Sequence, residues 1–385
     1  MNNSLEGLCV TIVLPHSPES VGYRSGEQLL SIASYHDRFC RELAIRGAEV
    51  NFVYFGDKPA PLRREYGVRT VPVTTGTSFG REISLRLYVD LARNESDIVH
   101  IHGYNQPNVI PILCTLALSD AKVIIHNHGS ALDENSLIHQ TWRKLLKPFM
   151  QSTVDHFVSV NEQELQGLEH IGVPSSKLSH IPNAVDTSVF TPMNKVRSKM
   201  DLGLDSGNRY VLFVGKLTAD KGASILVEAF AELPPEVHLL LVYSSVDQIT
   251  LTKIRDLIEK NNLVDRVTFV GTVYNELLPV YYNAADLCAF PSRNEGFGVV
   301  VLEAMACETA VVGTTEHALA GHLRDGVNGA VVCPGAHSDL RDKLYELLRD
   351  KDRRRQLARR GREIVKKEYT WEIVIDEVVD TYYKY

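Results

Sequence analysis

Pro291-Ser292-Arg293-Asn294-Glu295-Gly296-Phe297-Gly298-Val299-Val300-Val301-Leu302-Glu303-Ala304-Met305-Ala306 is the stretch that decides how this chain is read. An apolar run ends near Phe290, a loop with two glycines follows, and a second apolar run opens near Val299. Strand, glycine loop and helix start, in that order, make an anion site. Gly296 and Gly298 let the backbone approach a ligand closely, and the first N–H groups of a helix have no partner inside it. Glu295 lies in the loop and Glu303 in the early helix. Carboxylates are poor phosphate ligands but accept well from sugar hydroxyls. Alone, Glu303 reads as a charge complementing the helix dipole. The whole string points to a sugar phosphate.

Working outward, short apolar runs alternate with helix-period segments, the pattern of parallel sheets with crossover helices. The first half offers strands at 8–14, 49–55, 98–102, 122–126, 156–160 and 178–181, with a helix at 27–46 closed by Gly47. The pattern restarts with strands at 210–214, 237–242, 267–270, 287–289 and 310–312, and helices at 224–233 and 251–261. Two Rossmann-like α/β domains in series follow, facing each other across a deep cleft where ligands bind. The expected parts are 1–190, 191–370 and a terminal helix, 371–385, packing back toward the first domain.

The chain has 385 residues, 44% hydrophobic and 23% charged, which suits two ordinary globular domains. Its net charge of −7 argues against a nucleic-acid partner, since that needs a basic face. The basic run from Lys351 to Lys367 alternates with Leu357, Ala358, Ile364 and Val365, and reads as the solvated face of an amphipathic helix. Six scattered cysteines without a Cys-x-x-Cys pair suggest neither a disulfide framework nor a zinc ribbon. No leader-like start and no apolar run of about eighteen residues is present, so a cytoplasmic location is expected. Peripheral attachment at the inner membrane face stays open.

Val214-Gly215-Lys216-Leu217-Thr218-Ala219-Asp220-Lys221-Gly222 places two lysines between a buried strand and a helix, an electropositive pocket. His100 and His102 are two apart near one strand end, and His126 and His128 near another. Alternation puts each pair on one strand face, as in metal-binding His-x-His pairs. If the two strands were adjacent, four imidazoles would converge. For His100 and His126 the structural reading, packed strand-end histidines, is preferred.

The 291–306 string resembles the Glu-x7-Glu signature of the retaining glycosyltransferases of family 4, the group 1 glycosyl transferases with the GT-B fold. The resemblance implies that Glu295 contacts the donor sugar and Glu303 the nucleotide ribose. Gly296, Phe297, Gly298 and Val299 would hold sugar and phosphates through backbone amides. The 214–222 element is similar to the family's diphosphate-holding Val-Gly-Arg-Leu…Lys-Gly, with Gly215 at the turn, Lys216 where arginine is usual, and Lys221. Val270-Gly271-Thr272-Val273 resembles the base-binding segment, with Val273 as the contact. His128-Gly129 matches a histidine that faces the reacting sugar, and His102 would line the acceptor side. Ile181-Pro182-Asn183-Ala184-Val185-Asp186 is similar to a hinge element and reads mainly as turn chemistry. The family's Gly-Gly pair is missing: the loop 17–26 instead carries Gly22, Arg24 and Gly26, assigned to the acceptor side.

The resemblance implies a retaining, metal-independent hexosyltransferase with no cofactor. It would move sugar from a UDP- or GDP-sugar in the C-terminal domain to a glycan, lipid-linked or small-molecule hydroxyl in the N-terminal domain. His128, Lys216, Lys221 and Glu295 are the catalytic candidates. Three rivals remain: a metal-dependent hydrolase or lyase using the paired histidines with Asp133 and Glu134, a non-catalytic sugar-nucleotide binder, and, more weakly since it would lack the Glu-x7-Glu loop, a nucleotide-sugar epimerase of similar fold.

Overall fold

The structure, a computed structural model, describes residues 4–15, 34–55, 68–73, 76–78, 81–83, 85–93, 96–104, 108–129, 147–149, 151–315 and 321–385. In chain order the strands are β1 (Cys9–Leu14), β2 (Glu49–Phe55), β3 (Val68–Val73), β4 (Gly76–Ser78), β5 (Arg81–Ile83), β6 (Ile98–His102), β7 (Lys122–Asn127), β8 (His156–Ser159) and β9 (Leu178–His180). They continue with β10 (Arg209–Leu217), β11 (Val237–Val246), β12 (Val267–Gly271), β13 (Leu287–Phe290), β14 (Ala310–Thr314) and β15 (Ala330–Val332).

Two parallel sheets result, ordered β3-β2-β1-β6-β7-β8-β9 and β12-β11-β10-β13-β14-β15. The chain divides into unit 1, Met1–Asn183 with Trp371–Tyr385, and unit 2, Ala184–Thr370. The join therefore falls between Asn183 and Ala184 rather than at 190. Val185 fixes it there, because its N–H donates to Tyr369 O (2.9 Å), at the far end of the same unit.

Central strands such as β6 and β13 are buried at every position, which accounts for their unbroken apolar runs. In unit 1, Val13, Val99, Ile101, Val123 and Ile125 pack against Ile112, Leu113 and Phe157. In unit 2, Val211, Phe213, Leu239 and Leu241 pack against Leu226, Phe230 and Leu344. The helix Ser34–Ile45 is the described part of the one expected from 27. The helix Gln248–Lys260 starts where Asp247 accepts from the Thr250 amide at 3.0 Å and its hydroxyl at 2.7 Å.

Sequence reading missed β3 and β15. β3 holds Arg69, Thr70 and Pro72 and lies at a sheet edge, where proline is tolerated because one N–H faces outward. β15 is also an edge strand of three residues. The basic helix, Lys351–Glu368, is only partly a solvated face. Arg355, Arg359 and Arg360 are exposed. Arg353 donates to Gly326 O (2.8 Å), Arg354 to Leu347 O (2.6 Å) and Leu348 O (3.0 Å), and Arg362 to Ala306 O. These arginines satisfy carbonyls that helix and loop ends leave free. The helix Trp371–Tyr382 joins unit 1: Arg46 donates to Asp376 Oδ1 (2.8 Å), and the Tyr382 hydroxyl lies 2.7 Å from His100 Nδ1.

At the amino edge of the second sheet, Asp286 accepts from the Tyr210 amide (3.0 Å) and Lys195 Nζ (3.1 Å). Lys199 Nζ (3.9 Å) and Arg354 Nη2 (3.7 Å) stand near the same carboxylate. Burial would raise the Asp286 carboxyl, but Lys195, the Tyr210 amide and Lys199 together hold it below its ordinary value. Asp286→Ala should lose about 3 kcal/mol in urea unfolding at pH 7, because buried cations are left without their counter-charge. The wild-type advantage should be full at neutral pH and vanish as pH falls through the lowered carboxyl value, below about 3.8.

Candidate active site

The second sheet runs outward from β10 to β11 and β12, then crosses back so that β13 pairs with β10. That reversal is a topological switch point, where the loops after β10 and β13 part and leave a crevice. Lys221 ends the loop after β10, and 291–298 is the loop after β13. The two are joined by close backbone contact. Gly222 has φ +73°, and a Cβ on it would lie 2.1 Å from Pro291 O. The Arg293 amide donates to Asp220 O at 2.7 Å, and the Ser292 hydroxyl to Asn294 O at 3.1 Å. Thr314 Oγ1 donates to Ser292 O (2.5 Å), bracing the loop from β14.

On this platform Lys221 Nζ donates to Glu295 Oε1 (2.6 Å) and Asn294 O (2.8 Å). Glu295 is only 11% exposed at its side chain. Phe297 is buried with its ring 4.9 Å from that of His322, so its backbone rather than its side chain faces outward chemistry. Gly298, at φ +78°, precedes the helix Val299–Ala306, whose Val299 and Val300 are half-buried at its start. Gly296 lies half-buried between Glu295 and Phe297.

Glu303, one turn into that helix, is buried, and its Oε2 accepts from the hydroxyl of buried Tyr282 at 2.7 Å. Burial pushes the Glu303 carboxyl up to about 7, with the Tyr282 hydrogen bond pulling the other way. An acid half-ionised near neutrality in a cleft-side helix is a functional-site signal.

The other candidates of unit 2 lie at the same carboxyl edge. Gly215 pairs with Tyr243, and exposed Lys216 follows it, beside a register shift between β10 and β11. Val273 is half-buried in the loop just after β12. Lys221 and Glu295 are thus brought into contact in the loop that leads to the helix start, whereas exposed Lys216 stands at the strand end outside that ion pair.

In unit 1 the strands carrying the histidines are adjacent, with His102 directly opposite His126. His128 is half-buried, and both its ring nitrogens are engaged: Nδ1 with Asn183 Oδ1 (2.8 Å) and Nε2 with His102 Nδ1 (2.7 Å). Burial lowers His128 to about 4, outweighing the Asn183 bond, so it is neutral at pH 7. His102 is buried and meets its surroundings through His128 rather than an open acceptor face. Gly22, Arg24 and Gly26, with Asp133 and Glu134, lie outside the described residues.

Sequence reasoning missed Tyr282 and undervalued Asn183. Nothing in a lone tyrosine of Tyr281-Tyr282-Asn283 marks a partner for Glu303, since the pairing depends on packing between two helices. Asn183 was read as turn chemistry, yet its amide oxygen holds His128. Asp186 does serve a turn, accepting from the Ser188 amide at 3.0 Å, and Ala184 is not among the residues with positive φ. Among the described residues no helix is long and apolar enough to cross a membrane.

The two parallel α/β sheets have the GT-B fold of glycosyltransferases. A family model described as "Glycosyl transferases group 1" matches residues 195–364, and one described as "Glycosyltransferase Family 4" matches 32–189. The chain belongs to the family 4, group 1 glycosyltransferases. It is 26% identical over 379 residues to the D-inositol 3-phosphate glycosyltransferase of Xylanimonas cellulosilytica, covering 89% of this chain and 88% of that protein. The N-acetyl-alpha-D-glucosaminyl L-malate synthase of Bacillus anthracis is 25% identical over 368 residues, covering 89% and 91%. Sucrose-phosphate synthase from Thermosynechococcus elongatus has the same fold, with a TM-score of 0.78 at 23% identity over 98% of each chain. So has Anabaena HepE in complex with UDP and glucose, with a TM-score of 0.80 at 19% identity over 98% of this chain and all (100%) of that one.

Two substitutions test this geometry. Gly222→Ala must move Pro291 and adopt an unfavourable φ, so it should cost at least about 2 kcal/mol in denaturant unfolding. Glu303→Gln should stabilise the ligand-free protein, because the burial cost of ionising the acid disappears. A rise from 4.5 to about 7 corresponds to about 3 kcal/mol. The sign is that of an acid whose folded value is raised. The gain should be absent below about pH 4.5, grow between there and pH 7, and be constant above, as read by melting temperature across pH.

Proposed function

We propose that the chain is a retaining hexosyltransferase, taking sugar from a nucleotide diphosphate donor held by unit 2 and passing it to an acceptor hydroxyl. The observation that carries this reading is the 2.6 Å contact of Lys221 Nζ with Glu295 Oε1 across the β10/β13 switch point. It sets a phosphate-binding cation beside a sugar-binding carboxylate, which a diphosphate sugar needs and a simple phosphate does not.

In this reading Lys216, Lys221 and the amides at Phe297, Gly298 and Val299 receive the diphosphate. Glu295 accepts from the donor sugar's hydroxyls, Glu303 from the ribose, and the Gly271–Val273 backbone meets the base. Gly215 and Gly296 keep the backbone close to the ligand. Cleavage of the anomeric bond builds negative charge on the leaving oxygen and positive charge on the sugar. The lysines and helix start stabilise the former, so the transfer step calls on no metal. His128 is the sugar-facing histidine of the family resemblance, and both its ring nitrogens are engaged within unit 1, by Asn183 and His102. UDP- and GDP-sugars are the preferred donors, and the UDP complex of the HepE structure supports the former. The acceptors for which the two relatives are named, D-inositol 3-phosphate and L-malate, are both small, hydroxyl-bearing and anionic. They head the assay panel, ahead of glycans and lipid-linked sugars.

The hydrolase reading is not favoured, because the family is one of transferases. Thermal-shift measurements against UDP-, GDP- and ADP-sugars should identify one donor nucleotide that raises the melting temperature. Lys221→Ala should remain folded, lose most of that shift, and transfer roughly 100-fold more slowly. Unchanged turnover of an identified donor–acceptor pair in that variant would remove the lysine from the mechanism.

A further inference from the structure

Beneath His128 lies a cluster that the transfer reading leaves unused. His100, His102 and His126 sit on one face of β6 and β7, at 0%, 3% and 0% exposure. Phe39 sets its edge against all three rings. One ring nitrogen from each lies within 4.8 Å of those of the other two.

Their hydrogen bonding fixes which nitrogens carry protons. Asn183 Oδ1 can only accept, so His128 Nδ1–H donates to it and neutral His128 offers Nε2 as an acceptor. His102 Nδ1–H therefore donates to His128, which leaves His102 Nε2 as a bare lone pair. That Nε2 is buried without a partner, as are His100 Nε2 and both nitrogens of His126. Each orphaned polar atom costs about 1–3 kcal/mol of desolvation, and four in one cluster is far above the usual frequency.

We propose that His100, His102 and His126 bind one divalent first-row transition-metal ion of the zinc type, as a structural pin within unit 1. Imidazole nitrogen suits zinc, copper and nickel, and it ligates in the neutral form. Burial keeps all three histidines neutral, lowering His100 to about 3 and the other two well below their ordinary value. The ring centroids are 4.8, 5.4 and 5.5 Å apart. Three imidazoles on a tetrahedral zinc at about 2.0–2.1 Å have centroids about 5 Å apart, so the spacing already suits the ion. On such an ion the nitrogens would stand about 3.3 Å from one another, closer than the 4.8 Å within which they now lie. His102 is held by His128 and His100 by the Tyr382 hydroxyl, the kind of outer partner that orients ligating histidines. The ion would tie β6 and β7 together and, through Tyr382, the C-terminal helix. It is not the hydrolytic centre considered from sequence, and the donor site in unit 2 does not depend on it.

The test is titration of chelator-stripped protein with Co2+ and, separately, Zn2+. The expected result is one equivalent bound at micromolar metal, visible d–d absorption from nitrogen ligation of Co2+, and a higher melting temperature with Zn2+. His126→Phe, which keeps a ring in the core, should abolish the absorption and the thermal shift. His100→Gln should do the same by a different route, and covers the case in which the first variant does not fold. Exposed His180→Ala should leave both unchanged. Wild-type protein that binds no equivalent overturns the proposal, leaving buried water as the partner of these nitrogens. So does loss of binding in His180→Ala with retention in His126→Phe. Neither outcome touches the transferase reading, which stands or falls on donor binding at Lys221.

Discussion

Backbone meeting backbone at Gly222 and Pro291 is the constraint on which the candidate site of unit 2 depends. Only a residue without Cβ lets the loop after β10 lie against the loop after β13, where a side chain would come within 2.1 Å of a carbonyl oxygen. Close approach converts two separate loops into one surface, and places the neighbouring Lys221 ammonium within direct reach of Glu295 and the Asn294 carbonyl. A loosely docked pair of loops would leave both charges in water, where an ion pair contributes little and positions nothing. Here the parallel sheet supplies the separation of β10 and β13, and the glycine supplies the last few ångströms.

Much of this was legible in the residues, for identifiable reasons. Parallel strands buried on both faces announce themselves as apolar runs, and β1, β6, β7, β10 and β13 were read within a few residues of their ends. β3 and β15 were not, because edge strands tolerate Pro72, Arg69 or a length of three residues. The switch-point motifs were legible because glycine, lysine and glutamate there are fixed by local chain geometry. Contacts across the fold were less accessible. Tyr282 on Glu303 and Asn183 on His128 join residues 21 and 55 positions apart. The arginines of the basic helix look like solvent-facing charge in a helical projection, yet three of them serve carbonyls of other segments.

Unit 2 treats its two buried carboxyls, Asp286 and Glu303, in opposite ways. Asp286 is surrounded by cations and stays charged at a structural position. Glu303 has one neutral donor and is held close to its protonated form, so the ligand-free protein carries an unsatisfied preference at that residue. A ligand that donates hydroxyl hydrogen bonds to it would relieve that preference and favour ionisation of the carboxyl. The imidazoles of unit 1 are kept neutral first by burial and then by one another's charge, with hydrogen bonds allotting their protons.

Pro72 bears on how the protein behaves in a crowded solution. β3 is the outer strand of its sheet among the described residues, and an open row of backbone donors there would invite a second copy to add its own strand. A proline in that strand removes one backbone donor from it. The residue that hid this strand from the eye thus also guards it against edge-to-edge aggregation.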